Sequence, residues 1–256
     1  MKIAVCVSGQ LRDSWRDCIP SWQNMFDTNH QVDYFIHTWT NKTAPNAIAH
    51  ANKDTEEKEI SNTEINEVKR LLKPKGVLVE NPKDFKVKDD MAVFDPNYHS
   101  QFYGVMMACH LKQKYEQQYS LQYDLCVRMR FDNLVEDRYP LQKAEEQTVH
   151  VIHQTFDKTH RYRCSDVYFS APSFDYDRIC DFYSCLSKYK REWFECGQNL
   201  DYGPEHVLAF HIKANHIIPV QTYMPVKLKR AKQEHSNQKW KVRPDPTNCG
   251  EQDNDS

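Results

Sequence analysis

Short apolar runs recur along the amino-terminal half of the chain, and each of them stops at a polar turn. Such runs are typical of buried strands, and they lie at residues 3–7, 32–39, 77–79 and 125–129. Between the runs, apolar residues recur at helical spacing over residues 15–26, 61–74 and 95–118. This alternation is typical of βαβ units. The sequence therefore predicts an α/β fold in which a mostly parallel, Rossmann-like sheet is flanked by helices.

Some helix limits can be predicted from capping residues. The segment Ser61-Asn62-Thr63-Glu64 has the form of a capping box, and Pro74 ends the helix that follows it. Ser173 or Asp175 is expected to cap a further helix that continues through Leu186.

The first predicted strand ends in a turn that carries a hydroxyl, a glycine, a side-chain amide and a guanidinium. These groups belong to Ser8, Gly9, Gln10 and Arg12. Ligands of open α/β sheets bind beyond the carboxyl ends of the strands, so this turn is a candidate binding site. An amide and a guanidinium suit a nucleotide, because they can bond to a base and a phosphate. The spacing is neither a GxGxxG fingerprint nor a P-loop.

The apolar run 125–129 ends at a carboxylate. Asp132 lies in the turn Arg130-Phe131-Asp132-Asn133, where it can reach a metal ion or a substrate without being buried in the sheet. A structural alternative is that Asp132 caps the turn and pairs with Arg130. The sequence leaves both roles open.

Two other carboxylates stand at the start of predicted elements. Asp166 opens the apolar segment 166–170 after a basic loop, and an Asx turn explains this position nearly as well as a functional role. Glu205 follows Pro204 at the start of a predicted helix, where the helix dipole favours a carboxylate whatever its function.

Composition narrows the class of protein. The 256 residues suit one α/β domain over 1–226, followed by a basic and then acidic tail over 227–256. The net charge of -2 argues against nucleic acid as a partner. No run approaches the roughly 20 apolar residues of a transmembrane segment. The nine cysteines form no Cys-x-x-Cys pair, which favours a reducing cytoplasm.

Four segments together resemble a known family, namely residues 5–12, 33–39, 100–103 and 128–132. They are similar to the short GT-A-fold glycosyltransferases encoded by phages, large viruses and some microbes, and the resemblance covers roughly residues 1–220. It implies a single GT-A domain that moves a sugar from a nucleotide-sugar donor, expected to be UDP-linked, to a carbohydrate or other hydroxyl acceptor. A virus-encoded member would work in the cytoplasm of the host cell.

The resemblance also implies roles for particular residues. In the family, an Asp-x-Asp element binds the divalent cation that holds the donor diphosphate. The matching triplet here is Arg130-Phe131-Asp132, so Asp132 is the expected ligand of Mn²⁺ or Mg²⁺, and a metal-independent site is the alternative. Asp166 or Glu205 is the expected general base if the reaction inverts the configuration at the anomeric carbon of the sugar. The residues expected near the donor are Ser8, Gly9, Gln10, Arg12, Gln101, Arg130, Lys227 and Arg230.

Two other classes of protein remain possible from the sequence. The replacement of the first carboxylate by Arg130 would suit a catalytically inactive protein that binds sugar nucleotides or carbohydrate. Another nucleotide-using transferase, such as a nucleotidyltransferase, would release pyrophosphate instead of a nucleoside diphosphate.

Overall fold

The computed structural model describes residues 1–23, 25–26, 29–42, 59–87, 96–139, 148–151, 154–156, 162–195, 204–221 and 226–229. The strands are β1 (Lys2–Gly9), β2 (Gln31–Trp39), β3 (Gly76–Glu80), β4 (Leu125–Met129), β5 (Asn133–Val135), β6 (Val149–Val151), β7 (Gln154–Phe156), β8 (Tyr162–Cys164), β9 (Phe169–Ala171), β10 (Pro219–Gln221) and β11 (Val226–Leu228). The helices are α1 (Trp15–Trp22), α2 (Asn62–Leu72), α3 (Pro96–Tyr119), α4 (Ser173–Cys180), α5 (Phe182–Glu195) and α6 (Pro204–Ala214).

Seven of the described strands form one sheet in the order β10-β6-β9-β4-β1-β2-β3. Strand β1 is parallel to β2 and β4, β2 is parallel to β3, and β6 is parallel to β10. Only β9 runs against its neighbours β4 and β6 within this sheet. The predicted α/β fold with a mostly parallel sheet is therefore confirmed.

The alternation of side chains along β1 and β4 gives the sheet two apolar faces. Odd-numbered residues such as Val5 and Val127 pack with α1 and α2 in one buried cluster. Even-numbered residues such as Cys6 and Cys126 pack with α3, α4 and α6 in another. Side chains of successive strand residues point to opposite faces, so both faces are covered by helices and both strands are apolar throughout most of their length.

The helix predicted from the capping box is confirmed as α2. The Ser61 hydroxyl accepts a hydrogen bond from the backbone N–H of Glu64 at 3.2 Å, and the Glu64 carboxylate accepts one from the backbone N–H of Ser61 at 3.1 Å. The helix ends at Leu72, and Lys73 then adopts a left-handed conformation with φ 44 before Pro74. The local sequence thus controls both ends of the helix.

Two local predictions are wrong. The helix expected through Leu186 is divided into α4 and α5 at Asp181, and neither predicted residue caps α4, which begins after Pro172 without a side-chain cap. The reason is that Ile179 packs in the core beneath the sheet, whereas Phe182 packs in a separate cluster with α3, so the chain changes direction between them.

The strand expected at Asp166 begins only at Phe169. Three residues of β9 pair with β4, and Asp166 lies in the loop before them. The pairing of β9 involves only the three middle residues of β4, Cys126 to Arg128, and an apolar pattern alone does not report where such pairing starts.

The carboxyl-terminal part of the described chain returns to the middle of the fold. Strand β11 pairs antiparallel with β5, so ordered structure crosses the boundary predicted between residues 226 and 227. The rest of the predicted tail, including Arg230, lies outside the described residues. Within the described ranges, none of the helices is both long enough and apolar enough to cross a membrane.

Candidate functional site

A pocket lies at the carboxyl ends of β1, β2 and β4. In the strand order, the chain moves from β1 to β2 and β3 on one side, and then crosses to β4 on the other side. Such a reversal opens a crevice beyond the strand ends, where ligands of open α/β sheets bind. This strand-end pocket has a volume of about 220 Å³, and it is lined by Ser8, Gly9, Gln10, Arg12, Trp39, Ser100, Gln101, Arg128, Arg130 and Asp132.

Most of the residues proposed from the sequence meet in this pocket. The turn after β1, the turn after β4 and the first turns of α3 contribute one wall each. The sequence-proposed residues that line it are Ser8, Gly9, Gln10, Arg12, Gln101, Arg130 and Asp132.

Gly9 shapes the turn that closes the pocket after β1. Its φ is 125, a backbone conformation that residues other than glycine rarely adopt. The Thr38 hydroxyl donates a hydrogen bond to the Gly9 carbonyl at 2.9 Å, and the Arg12 N–H donates to the Gln10 carbonyl at 2.9 Å. These bonds hold the turn in a shape that directs Gln10 and Arg12 at the pocket.

A close helix-to-sheet contact brings α3 to the pocket. A Cβ atom at Gly104 would lie 2.9 Å from Nδ1 of His37, so only glycine lets the helix approach the sheet this closely. His37 is fully buried, its Nε2 lies 2.9 Å from the Glu80 carboxylate, and burial lowers its pKa. The approach of the helix at this point places Ser100 and Gln101, one turn earlier, at the pocket.

Arg128 is the most unusual side chain of the site. It is 1% exposed and projects from β4 on the α3 side of the sheet, where Cys126 is its apolar predecessor. Its guanidinium donates to the carbonyls of Ser8, at 3.3 Å, and Met129, and its Nε has no hydrogen-bond partner among the described residues. Burial is the main cause that lowers the pKa of Arg128 to about 10. No described carboxylate forms an ion pair with this buried cation.

Asp132, by contrast, is surrounded by cations. Its two carboxylate oxygens accept hydrogen bonds from Nε and Nη2 of Arg130, both at 2.9 Å, and Oδ2 also accepts one from Arg12 at 3.3 Å. The side chains of Asp132 and Arg130 are 3% and 16% exposed, and that of Arg12 is 36% exposed. Burial acts to lower the pKa of Arg130, but the Asp132 carboxylate more than offsets burial. The net effect raises the pKa of Arg130 above its ordinary value. The pairing expected as the structural alternative is therefore present.

Asp166 adjoins the pocket through one of its lining residues. It is 7% exposed, and its carboxylate accepts a hydrogen bond from the Gln101 side chain. Its charge also acts on Arg128 and Arg130. Glu205 lies half-buried in the first turn of α6 and is not among the described residues that line the pocket.

The residues proposed from the carboxyl-terminal tail are only partly described. Lys227 lies in β11 opposite Leu134 of β5. Lys229 follows it, and its backbone N–H donates to the carbonyl of Asp132 at 2.8 Å, while its Nζ lies 2.5 Å from the Asp17 carboxylate. The start of the tail thus supports the Asp132 turn through its backbone.

The donor groups in the pocket suit a divalent cation poorly. Mn²⁺ and Mg²⁺ prefer several oxygen ligands. Asp132 is the only carboxylate among the described lining residues, and both of its oxygens are already bonded to guanidinium groups. In the described part of the chain, no three His, Cys, Asp or Glu side chains are grouped as a metal site would require. The metal ion remains a prediction from the resemblance.

Of the three remaining lining residues, Ser100 lies in the segment 100–103 that carries the resemblance, and the other two were missed by the sequence reasoning. Arg128 is a charged residue inside an otherwise apolar strand, and this exception to the pattern was the signal that could have identified it. Trp39 ends β2 and stacks on Tyr103 with ring centroids 5.8 Å apart, next to Phe85 at 5.3 Å. An aromatic residue at the end of a strand gives no comparable signal, because most such rings belong to the core.

Comparison with known proteins adds no relative. No protein-family model matches the chain, and no curated protein matches it significantly.

Proposed function

We propose that this protein is a GT-A-type glycosyltransferase that binds a nucleotide sugar in the strand-end pocket and transfers the sugar to a hydroxyl acceptor. The observation that carries the proposal is Arg128, a buried guanidinium that lines the pocket and forms no ion pair with any carboxylate of the described residues. A buried charge is costly unless it is paired, so an anionic ligand is its natural partner. Arginine binds phosphate groups well because its N–H groups match their geometry.

The position and walls of the pocket also support a nucleotide. The pocket lies at the reversal of strand order, where Rossmann-like folds bind nucleotides. Trp39 supplies an aromatic surface, and Gln10 and Gln101 supply amides that can bond to a base or a sugar hydroxyl. Arg128 and Arg130 supply positive charge for a diphosphate.

The proposed reaction needs two tasks from the protein. The acceptor oxygen forms a bond to the anomeric carbon, and the bond from that carbon to the diphosphate oxygen breaks with its electron pair. Guanidinium groups stabilise the negative charge on the leaving diphosphate. If the reaction inverts the configuration at the anomeric carbon, Asp166 is the first candidate to take the acceptor proton, because it is linked to the pocket by Gln101. Glu205 is the second candidate.

A test is to incubate the protein with UDP-, GDP- and CMP-linked sugars in the presence of simple sugar acceptors. We expect release of the nucleoside phosphate from one donor, and at least a hundredfold loss of rate in Asp166→Asn, which is a typical contribution of a general base. Arg128→Gln should lose donor binding as well. Release of sugar 1-phosphate from these donors, or of pyrophosphate from a nucleoside triphosphate in a parallel reaction, would instead identify a nucleotidyltransferase.

A non-catalytic sugar-nucleotide-binding protein is the second candidate function. It is favoured by the engagement of both Asp132 oxygens by arginine, since these oxygens would then serve only to hold the binding groups. Such a protein would bind a nucleotide sugar in a saturable manner and return it unchanged after prolonged incubation.

We also propose that the protein works in the cytoplasm, of a host cell if a virus encodes it. This is supported by five described cysteines that are free thiols and buried, namely Cys6, Cys18, Cys109, Cys126 and Cys180. Free thiols persist in a reducing compartment.

A further inference from the structure

We infer that the guanidinium groups of the strand-end pocket neutralise the donor diphosphate directly, in place of a divalent cation. The inference rests on the proposed function and concerns how the same site binds its ligand. It starts from the charges on the lining residues. Arg12, Arg128 and Arg130 carry positive charge and Asp132 carries the only negative charge, so the described lining has a net charge of plus two. A diphosphate diester carries one negative charge on each phosphate and balances this lining without any metal.

The arginines are held in place before a ligand arrives. Arg128 is anchored by backbone carbonyls, and Arg130 is anchored by two hydrogen bonds of 2.9 Å to Asp132. Neither side chain has to be ordered when the ligand binds, so little conformational entropy is lost. Fixed donors of this kind stabilise charge that develops on a leaving group without reorganisation.

A divalent cation at Asp132 would meet two obstacles. It would have to share the carboxylate with Arg130 and Arg12, whose hydrogen bonds already occupy three of its roughly four acceptor positions. It would also raise the positive charge of a pocket in which the buried Arg128 guanidinium already forms no ion pair with any described carboxylate. Like charges at close range in a partly buried site repel strongly. Asp132 is better explained as the partner of Arg130 than as a metal ligand.

The two explanations make opposite predictions for Asp132→Asn. If Asp132 binds a metal ion that holds the diphosphate, the asparagine side chain of the variant cannot hold the ion, and nucleotide binding is lost. If the arginines bind the diphosphate directly, the substitution removes a negative charge from the pocket, and binding of an anion is maintained or strengthened. Arg12→Gln provides the complementary change, because it removes a positive charge from a side chain that is 36% exposed.

Arg178→Gln is a matched control for Arg12→Gln. The Arg178 side chain is also 36% exposed, and it forms a comparable ion pair at 3.0 Å with Asp175, but it lies on α4 away from the strand-end pocket. Both substitutions remove one charge and one ion pair from a partly exposed arginine, and Arg178→Gln also removes a hydrogen bond to the Asn215 carbonyl. A loss of nucleotide binding that is confined to Arg12→Gln therefore reports the pocket and not the net charge of the protein.

The experiment is isothermal titration calorimetry of UDP, GDP, ADP and CDP with the full chain, in EDTA and in Mn²⁺. We expect one of these nucleotides to bind in EDTA within threefold of its affinity in Mn²⁺. Arg12→Gln should weaken that binding by about tenfold, a typical loss for one charged hydrogen bond. Arg178→Gln should leave it unchanged, and Asp132→Asn should bind at least as tightly as the unmodified protein.

The outcomes separate this inference from the proposed function. Binding that needs Mn²⁺ by more than tenfold and disappears in Asp132→Asn would overturn the arginine mechanism while supporting a nucleotide site. The absence of binding for all four nucleotides in both buffers would overturn the inference and, with it, the proposed use of a nucleoside diphosphate donor. A circular dichroism spectrum of each variant shows whether it is folded, and Arg12→Gln remains informative if Asp132→Asn is not, because its side chain is partly exposed.

Discussion

Replacing Arg128 by Met should stabilise the ligand-free protein. Arg128 is 1% exposed and lies in β4 with no carboxylate to pair with among the described residues. Burial of its charge is the largest cause that lowers its pKa from 12.5 to about 10. A lowered pKa of a cation means that the folded state disfavours the charged form, so the charge reduces stability at neutral pH.

The size of the effect follows from two opposing terms. A shift of this size corresponds to about 3 kcal/mol of unfavourable energy, at about 1.4 kcal/mol per pKa unit. The substitution also removes hydrogen bonds to two backbone carbonyls, each of which contributes about 1 kcal/mol. Methionine is flexible and apolar, and fills much of the same space. The net gain should be about 1 kcal/mol, which raises the midpoint of thermal unfolding by about 3 °C in a chain of this length.

The assay is differential scanning calorimetry of both proteins, first alone and then with the nucleotide that binds most tightly. Without ligand, Arg128→Met should unfold at the higher temperature. With ligand at 100 times the dissociation constant, the unmodified protein should gain about 2.7 kcal/mol and the variant should gain almost nothing, so the order reverses. Arg178→Met, at an exposed and paired arginine, should change stability by no more than about 0.5 kcal/mol in either state.

Two results would refute this reasoning. If Arg128→Met is less stable than the unmodified protein by more than about 1 kcal/mol, the guanidinium contributes to the core, and its role is structural. If the variant gains the same stability from the nucleotide as the unmodified protein does, Arg128 is not a ligand-binding residue.

Three further substitutions test a close backbone contact and two networks of charged groups in the fold. Gly104→Ala places a Cβ atom 2.9 Å from His37, so it should lower the free energy of unfolding by about 1 kcal/mol or more, although alanine favours helices. A higher free energy of unfolding for this variant in a urea titration would contradict the close contact. Lys112→Met removes a fully buried ammonium group that lies 2.8 Å from Glu116 and 2.7 Å from Asp177, and it should lower the free energy of unfolding by about 3 kcal/mol. A loss of less than about 1 kcal/mol would show that these ion pairs do not stabilise the fold. Glu64→Gln should lower the free energy of unfolding by about 2 kcal/mol at pH 7. Burial acts to raise the pKa of Glu64, but hydrogen bonds from Lys42 and from Ser61 of the helix cap outweigh burial. The net effect lowers this pKa from 4.5 to about 2. Because the folded-state pKa is depressed, this stability is present above pH 4.5 and lost as the pH falls towards 2. If the free energies of unfolding of the unmodified protein and Glu64→Gln differed by the same amount over that whole range, the assignment would be contradicted.

The elements of the fold could be predicted because their signals are local. The apolar run 125–129 corresponds to β4, and the capping box predicts the start of α2. The clustering of the two polar turns could also be predicted, because the carboxyl ends of parallel strands meet at one edge of the sheet. Local periodicity and one topological rule were therefore sufficient for most of the candidate site.

The missing parts of the site depend on contacts between distant segments. Arg128 reaches the pocket because β4 pairs with β1 in a register that sets Arg128 beside Cys6, two residues before the polar turn begins at Arg130. The break at Asp181 arises because α4 and α5 pack on different clusters. Neither the register of paired strands nor the choice between two cores is encoded by the spacing of apolar residues within one segment.

The return of β11 to the middle of the fold affects how the protein is made. The backbone N–H of Lys229 bonds to the carbonyl of Asp132, and β11 pairs with the strand that follows the Asp132 turn. On the ribosome, β1, β2 and β4 can assemble as soon as they emerge, because they need no later segment for their mutual pairing. The Asp132 turn gains its last backbone bond only after synthesis has passed residue 229. During translation the pocket is therefore completed late, and a nascent chain that stops before β11 carries an unfinished binding site on an otherwise paired sheet.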